Sequence, residues 1–377
     1  MPQTKLNELA DFGQSMWLDY ISRPLLESGK LKELIATGLR GMTSNPTIFN
    51  QSISLTKDYD EKIIQLHEKG KSTFEIYDDL TIRDVQQAAD FFKPVYEKTN
   101  GLDGYVSLEI NPKLAMNSAA SIQEGKRLFQ KTARCNVLIK VPSTHAGFAV
   151  IEEFLASGIP VNVTLIFSLD QYKETVKAFL KGLNRYWESG GDLSKLQSVA
   201  SVFVSRIDTT VDKLLAEKII QTKETSTKNQ LEALKGKAAV ANCKLIFEQF
   251  SLLSISDAFK SLARNKAQIQ RVLWASTGTK NPQYSDLKYV TELIATSTVN
   301  TVPQKTLEAF LDHGELKSGL LGTKNDAKEI INTLNRFGID LTQVCDNLLK
   351  EGVVAFEKSF DELLNSIEAK IAELCSR

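Results

Sequence analysis

Eight short apolar runs, each followed by a longer stretch of helical periodicity, limit the possible fold more than any other feature of this chain. The runs are "SMWLD" (15–19), "GMTSN" (41–45), "YVSLEI" (105–110), "NVLIKV" (136–141), "VNVTLIF" (161–167), "SVASVFV" (198–204), "RVLWAS" (271–276) and "STVNTV" (297–302). Near-continuous apolar sequence is what a parallel strand needs when both its faces are covered. "GMTSN" and "STVNTV" are weak alone and gain weight from their places in the series. Between the runs, "HAGFAVIEEFLASG" repeats apolar residues at helical spacing and stops at Gly158. "SLDQYKETVKAFLKGL" opens on Ser168 as an N-cap, and "NDAKEIINTLNRFG" runs from an Asn325 cap to Gly338. Alternating β and α units imply a parallel sheet, and eight of them predict a (β/α)8 TIM barrel of the α/β class. The rival, an open doubly wound sheet, would show a Gly-rich dinucleotide turn after a strand, and no strand has one.

Two intervals, 46–104 and 205–270, are too long for a single crossover and read as helical insertions. Residues 340–377 read as an amphipathic helical extension, expected on the barrel exterior. No fixed-period repeat, low-complexity tract or Pro/Gly/Ser linker divides the chain, so residues 1–377 are expected to form one domain. A 42% hydrophobic content is enough for a full core. Lys+Arg and Asp+Glu are equal at 46 each, which argues against nucleic acid or an acidic membrane as partner. The four cysteines are scattered, as free thiols in a reducing compartment would be. The N-terminus has no basic cluster or apolar core, and no run reaches the roughly 18 apolar residues of a membrane span. A soluble, cytoplasmic location is expected.

In such a barrel, chemistry sits at the C-terminal strand ends. Residues two apart on a strand share a face, and here those sets are polar: Thr43 with Asn45, Ser107 with Glu109, Asn162 with Thr164. Asp19 and Lys140 add one charge each. Every one of these has a plainer reading. Asp19 could cap a helix, "TSNPT" could be a turn and helix start, and Glu109 could be a rim carboxylate. Asn162 and Thr164 could satisfy loop backbone, and Lys140 could be the buried ion-pair partner of Glu109. Five strands ending this way together point to a site instead. An amine attacks a ketone only when neutral, and at a pKa of about 10.4 fewer than roughly one lysine in a thousand is neutral at pH 7. Desolvation among Leu138, Ile139 and Val141 is expected to lower that pKa. A Schiff base on Lys140 would serve as an electron sink for C–C cleavage, with Asp19 and Glu109 dividing the proton transfers.

A phosphate grip is also legible. "STGTKN" (276–281) supplies hydroxyls from Ser276, Thr277 and Thr279, a turn at Gly278 and the cation of Lys280. Arg206 adds a fork-shaped cation just past the sixth run. Arg206 pairing with Asp208, and "TGTKNP" as an ordinary turn, are the plainer alternatives.

These stretches resemble transaldolase, and most of all its longer bacterial form. The matching segments are "WLD" (17–19), "GMTSNPTIF" (41–49), "GYVSLEINP" (104–112), "VLIKVPST" (137–144), "VNVTLIFS" (161–168), "SVFVSRID" (201–208), "WASTGTKNP" (274–282) and "VNTVP" (299–303). The resemblance implies a class I aldolase-type barrel of the pentose phosphate pathway. It would move a dihydroxyacetone unit from sedoheptulose 7-phosphate to glyceraldehyde 3-phosphate, giving erythrose 4-phosphate and fructose 6-phosphate. By position Lys140 matches the Schiff-base lysine, Asp19 the acid/base of C–C cleavage, and Glu109 with Thr164 the pair that holds the water of Schiff-base formation. Thr43, Asn45 and Asn162 match substrate-positioning groups. Ser201 and Arg206 match phosphate-side contacts, with Lys280 or Ser276 completing that side. The resemblance implies sugar-phosphate substrates, no cofactor, and a monomer or homodimer. Two other readings stand beside it: a fructose 6-phosphate aldolase-like lyase releasing free dihydroxyacetone, and a catalytically silent sugar-phosphate-binding barrel. Glu109 and Phe203 favour the transferase over the first; the lysine and its carboxylates oppose the second.

Overall fold

A computed structural model of the chain describes residues 4–320 and 324–376. The strands are β1 (Gln14–Asp19), β2 (Gly41–Thr43), β3 (Tyr105–Glu109), β4 (Val137–Pro142), β5 (Val161–Ile166), β6 (Ser198–Phe203), β7 (Arg271–Ala275) and β8 (Thr298–Val302). They pair in parallel, in chain order, and close into a barrel where β8 returns to β1, with Gln14 opposite Thr298 and Leu18 opposite Val302. The expected (β/α)8 barrel is therefore present, its two weakest runs included. β2 has three residues, held between Trp17–Asp19 on one side and Tyr105–Ser107 on the other. Its Gly41 is needed for space: a Cβ there would lie 2.6 Å from the Trp17 indole, which fills the interior beside it.

The interior is largely hydrogen-bonded rather than aliphatic. At its N-terminal end, Arg271 pairs with Asp103 at 2.9 Å, and Ser15 and Trp17 donate to the same carboxylate at 2.7 and 3.3 Å. Higher up, Ser201 donates to Asn162 at 2.6 Å and Asn162 donates to Ser107 at 2.9 Å. Apart from the Arg271 Nε, each of these buried polar groups has a partner, which is the condition for keeping it out of water without a large penalty. This ladder is the floor on which the mouth is built.

The outer layer follows the periodicity. His145–Ala156 ends ahead of Gly158 (φ +72°), and Leu169–Glu188 starts on a reciprocal cap between Ser168 and Gln171. The helix near 325 differs from expectation. It runs Lys324–Arg336, so Asn325 lies inside it and does not cap it; the residues just before it fall outside those described. The interval 46–104 holds helices Pro46–Ser54, Asp60–Glu68 and Thr73–Lys98. The interval 205–270 holds Ser205–Gln221, Thr225–Glu232, Ala238–Ile255 and Asp257–Arg264. Among the described residues, Ala238–Ile255 is the one helix long and apolar enough by composition to cross a membrane, and half of it is buried within the fold. All four cysteines are free thiols, Cys243 and Cys345 buried, Cys135 and Cys375 exposed.

The C-terminal helix, Leu341–Cys375, corrects a second expectation. Asp340 caps its first amides. Its apolar face packs on helix Pro46–Ser54, on the turn after β3 and on the end of β5, so it crosses the C-terminal side of the barrel instead of lying on the exterior alone. There β5 carries a register shift between Val163 and Ile166, and Leu165 adopts φ +58°. Gly352 permits the close approach, because a Cβ would sit 2.9 Å from the Leu165 side chain. The crossing brings Phe356 into the mouth.

Candidate active site

The strand ends open into a cavity of about 540 Å³ lined by Asp19, Thr43, Asn45, Lys140, Thr164, Ser201, Arg206, Ser276 and Lys280, with Phe203, Thr301, Lys305 and Phe356 among the others. Glu109 and Asn162 do not line it, and neither do Ser107 and Thr277, which are fully buried. The first two, Glu109 and Asn162, flank Lys140 in register on β3 and β5. A volume of this size suits a small polar ligand.

Lys140 is buried. Its Nζ donates to the Ser44 carbonyl at 3.2 Å and stands 3.7 Å from Glu109 Oε2. The Phe356 ring lies 5.8 Å away, within reach of a cation–π contact. The source of dryness differs from the sequence reading. Ile139 and Val141 alternate away from Lys140 and face the helical layer, so neither shields the amine. The barrel wall and the ring of the last helix do that.

Two carboxyl groups flank the amine, and burial raises the proton affinity of both. Glu109 is pushed up to about 7; desolvation dominates, Lys140 opposes it, and the charge of Asp19 adds to it. Asp19 is also raised by burial, against the Lys140 charge and a hydrogen bond from Thr43. Thr43 Oγ1 donates to Asp19 Oδ1 at 2.6 Å and lies 2.7 Å from Thr301 Oγ1. Glu109 Oε2 and Thr164 Oγ1 are buried without a hydrogen-bond partner among the described residues. Buried polar atoms seldom stay unpartnered, so these two are free to receive a water or a ligand hydroxyl. Asn45 fits its plainer reading as well as the site: its Oδ1 caps helix Pro46–Ser54 through the Ile48 amide at 3.0 Å.

The opposite rim is cationic. Arg206, Lys280 and Lys305 follow β6, β7 and β8, and none forms an ion pair within 4 Å among the described residues. The Arg206 guanidinium lies 5.5 Å over the Phe203 ring. Its pKa is lowered by burial, with Glu351 opposing, and that of Lys280 is lowered by burial and then by the Arg206 charge. Like charges that share one cavity and form no ion pair among the described residues favour a bound dianion. The alternative pairing of Arg206 with Asp208 is not what forms. Asp208 accepts from the Ala239 amide at 2.7 Å and the Tyr289 hydroxyl at 2.9 Å, and burial pushes its pKa up to about 6. Ser276 sits at φ +54°, its hydroxyl 3.1 Å from Ser205. His145 is exposed in the first turn of its helix.

Phe356, Thr301 and Lys305 were not singled out in the sequence. Thr301 lies one residue before the end of β8, and its same-face neighbours, Val299 and Pro303, are apolar, so the pattern of polar pairs does not mark it. Phe356 has no local signal at all. Among the described residues, no group of three or more His, Cys, Asp or Glu is placed to hold a metal ion.

The family model described as Transaldolase/Fructose-6-phosphate aldolase matches residues 16–367. The chain is 41% identical to a protein named Transaldolase from Trichodesmium erythraeum over 377 residues, covering 99% of each chain. It is 43% identical to a Transaldolase from Mycobacterium ulcerans and 42% identical to one from Saccharopolyspora erythraea, covering 98% of each chain in both cases.

Proposed function

The chain belongs to the transaldolase/fructose-6-phosphate aldolase family, and we propose that it is the pentose phosphate pathway transaldolase, with Lys140 as its Schiff-base residue. The observation that carries this reading is a buried lysine amine at a barrel mouth, 3.7 Å from a carboxyl group of raised pKa and facing unpaired cations across one cavity. The neutral amine of Lys140 attacks the ketone carbon C2 of sedoheptulose 7-phosphate. Glu109 moves protons between nitrogen and the departing hydroxyl through a water that it shares with Thr164, and loss of that hydroxyl as water leaves the iminium. Asp19 takes the proton of the C4 hydroxyl and the C3–C4 electron pair flows into the iminium. Erythrose 4-phosphate departs, and the three-carbon enamine stays on Lys140. Glyceraldehyde 3-phosphate enters, the enamine carbon attacks its aldehyde, and Asp19 returns the proton. Hydrolysis then frees fructose 6-phosphate. Arg206 and Ser201, with Lys280 or Ser276, hold the phosphate end; Thr43, Asn45 and Asn162 position the sugar. Unpaired cysteines support a cytoplasmic setting.

Transfer is favoured over release of dihydroxyacetone by Phe203, whose ring packs 5.3 Å from Phe167 under Arg206 and offers no hydroxyl to orient a water at the enamine. The test is direct. Fructose 6-phosphate with erythrose 4-phosphate should yield sedoheptulose 7-phosphate and glyceraldehyde 3-phosphate, while fructose 6-phosphate alone should release almost no dihydroxyacetone. Free dihydroxyacetone forming as fast as transfer product would assign the lyase reaction instead.

The Glu109 pKa sets a pH signature. Below about 7 Glu109 is protonated and cannot accept a proton; above it the carboxylate can. The rate of Schiff-base formation, read by borohydride quench at short times, should therefore rise with pH through about 7. In Glu109→Gln this limb should vanish and the step should slow by roughly 10²-fold. A limb that persists unchanged in the variant would remove Glu109 from the proton path.

A further inference from the structure

We infer that Thr301 is a positioning residue for C–C bond cleavage: it acts on Asp19 through the hydroxyl of Thr43, in a hydrogen-bond chain with one fixed direction. The inference rests on the reading of Asp19 as the cleavage acid/base. An ionised carboxylate only accepts hydrogen bonds, so the 2.6 Å contact between Thr43 Oγ1 and Asp19 Oδ1 uses the single hydroxyl proton of Thr43. The 2.7 Å contact between Thr43 Oγ1 and Thr301 Oγ1 can then be made only with Thr301 donating. Both bonds thus point toward the carboxylate. Aligned donors polarise one another, so the second bond strengthens the first.

Three consequences follow for the chemistry. The chain favours the Asp19 anion, the form that can take a proton, against the burial that disfavours it. It engages Oδ1, which leaves Oδ2 to meet the sugar hydroxyl. It also accepts Thr43 as a fixed donor, since Thr43 turned away would leave two buried oxygens without a partner. The placement makes this possible. Asp19, Thr43 and Thr301 sit on β1, β2 and β8, the two strands that flank β1 in the closed barrel, so their inward side chains converge around one carboxylate. Thr301 is itself buried and, among the described residues, makes no hydrogen bond to Lys140 or Glu109 that would give it a share in Schiff-base formation.

The experiment measures the two halves of the reaction separately in Thr301→Val, Thr301→Ser, Thr43→Val and the double variant. Loss of one neutral hydrogen bond of about 1 kcal/mol corresponds to about a 5-fold rate change. Thr301→Val should lower kcat for transfer by about that 5-fold with KM for fructose 6-phosphate unchanged. The pH limb of cleavage should move upward, because the anion has lost support. Borohydride-trapped Schiff base should form at the wild-type rate, a readout that general loosening of the barrel would not spare. Thr301→Ser should restore kcat and the limb. The double variant should match Thr43→Val alone, because Thr301 works through that hydroxyl. Additive losses, an unmoved pH limb, or slowed Schiff-base formation in Thr301→Val would each overturn the inference. Asp19→Asn separates the two levels. If it abolishes cleavage while Thr301→Val does nothing, the chain fails and the acid/base reading stands; if it leaves cleavage intact, the acid/base reading fails first.

Discussion

Lys140→Ala will abolish transfer and leave the protein folded. Losing a covalent nucleophile removes the route itself, so turnover should fall by roughly 10⁴-fold or more. Folding should survive because of what happens next door. The Lys140 charge is what holds the Glu109 pKa down against burial. Without that charge, Glu109 takes up a proton and becomes a neutral buried acid, so no lone anion is stranded in the barrel. Two measurements check this. Wild-type protein incubated with fructose 6-phosphate and reduced with borohydride should carry a sugar-derived adduct on the peptide containing Lys140, and the variant should carry none. Thermal unfolding of the variant should remain cooperative near the wild-type midpoint. An adduct on another lysine would relocate the chemistry.

Asp19→Asn should separate bond cleavage from Schiff-base formation. An amide at position 19 can still accept from Thr43 through its Oδ1, so the frame on β1, β2 and β8 stays in place. It cannot take the proton of the C4 hydroxyl. Transfer should drop by about 10²–10⁴-fold, the range associated with a lost general base. Lys140 and Glu109 are untouched, so the iminium of the intact sugar should form and accumulate. The trapped adduct should therefore change in mass, from a mixture containing the three-carbon unit in wild type to the six-carbon unit alone in the variant. A three-carbon adduct persisting in Asp19→Asn would assign the cleavage base elsewhere, and an absent adduct would place Asp19 in the earlier step.

What could be read from the sequence was whatever local pattern determines. Apolar runs separated by helical periodicity were enough for all eight strands, even β2 with three residues. Same-face polar pairs at strand ends identified Glu109, Thr43 and Thr164, because period-two geometry needs no knowledge of distant contacts, and Lys140 and Asp19 stood out as single charges in apolar runs. Errors arose where a remote partner decides the outcome. Ile139 and Val141 were expected to dry Lys140 because they adjoin it in sequence, yet adjacency on a strand means opposite faces. Asn325 resembled a cap because nothing local showed that the helix begins earlier. The last helix read as exterior because its amphipathic pattern defines an apolar face without saying what covers it. Phe356 could not be found from its neighbours, since its role depends on a crossing that Gly352 and Leu165 make possible.

That crossing has a consequence for a shortened chain. Residues 14–302 contain every strand of the barrel and every group proposed to react. The ring over the lysine comes from Phe356, which leaves the ribosome later. The strands and part of the cover over the amine are therefore contributed by separate parts of the chain, joined where helix Leu341–Cys375 packs on the barrel mouth. A chain cut short before that helix would keep every strand that carries the site and lose the ring over Lys140.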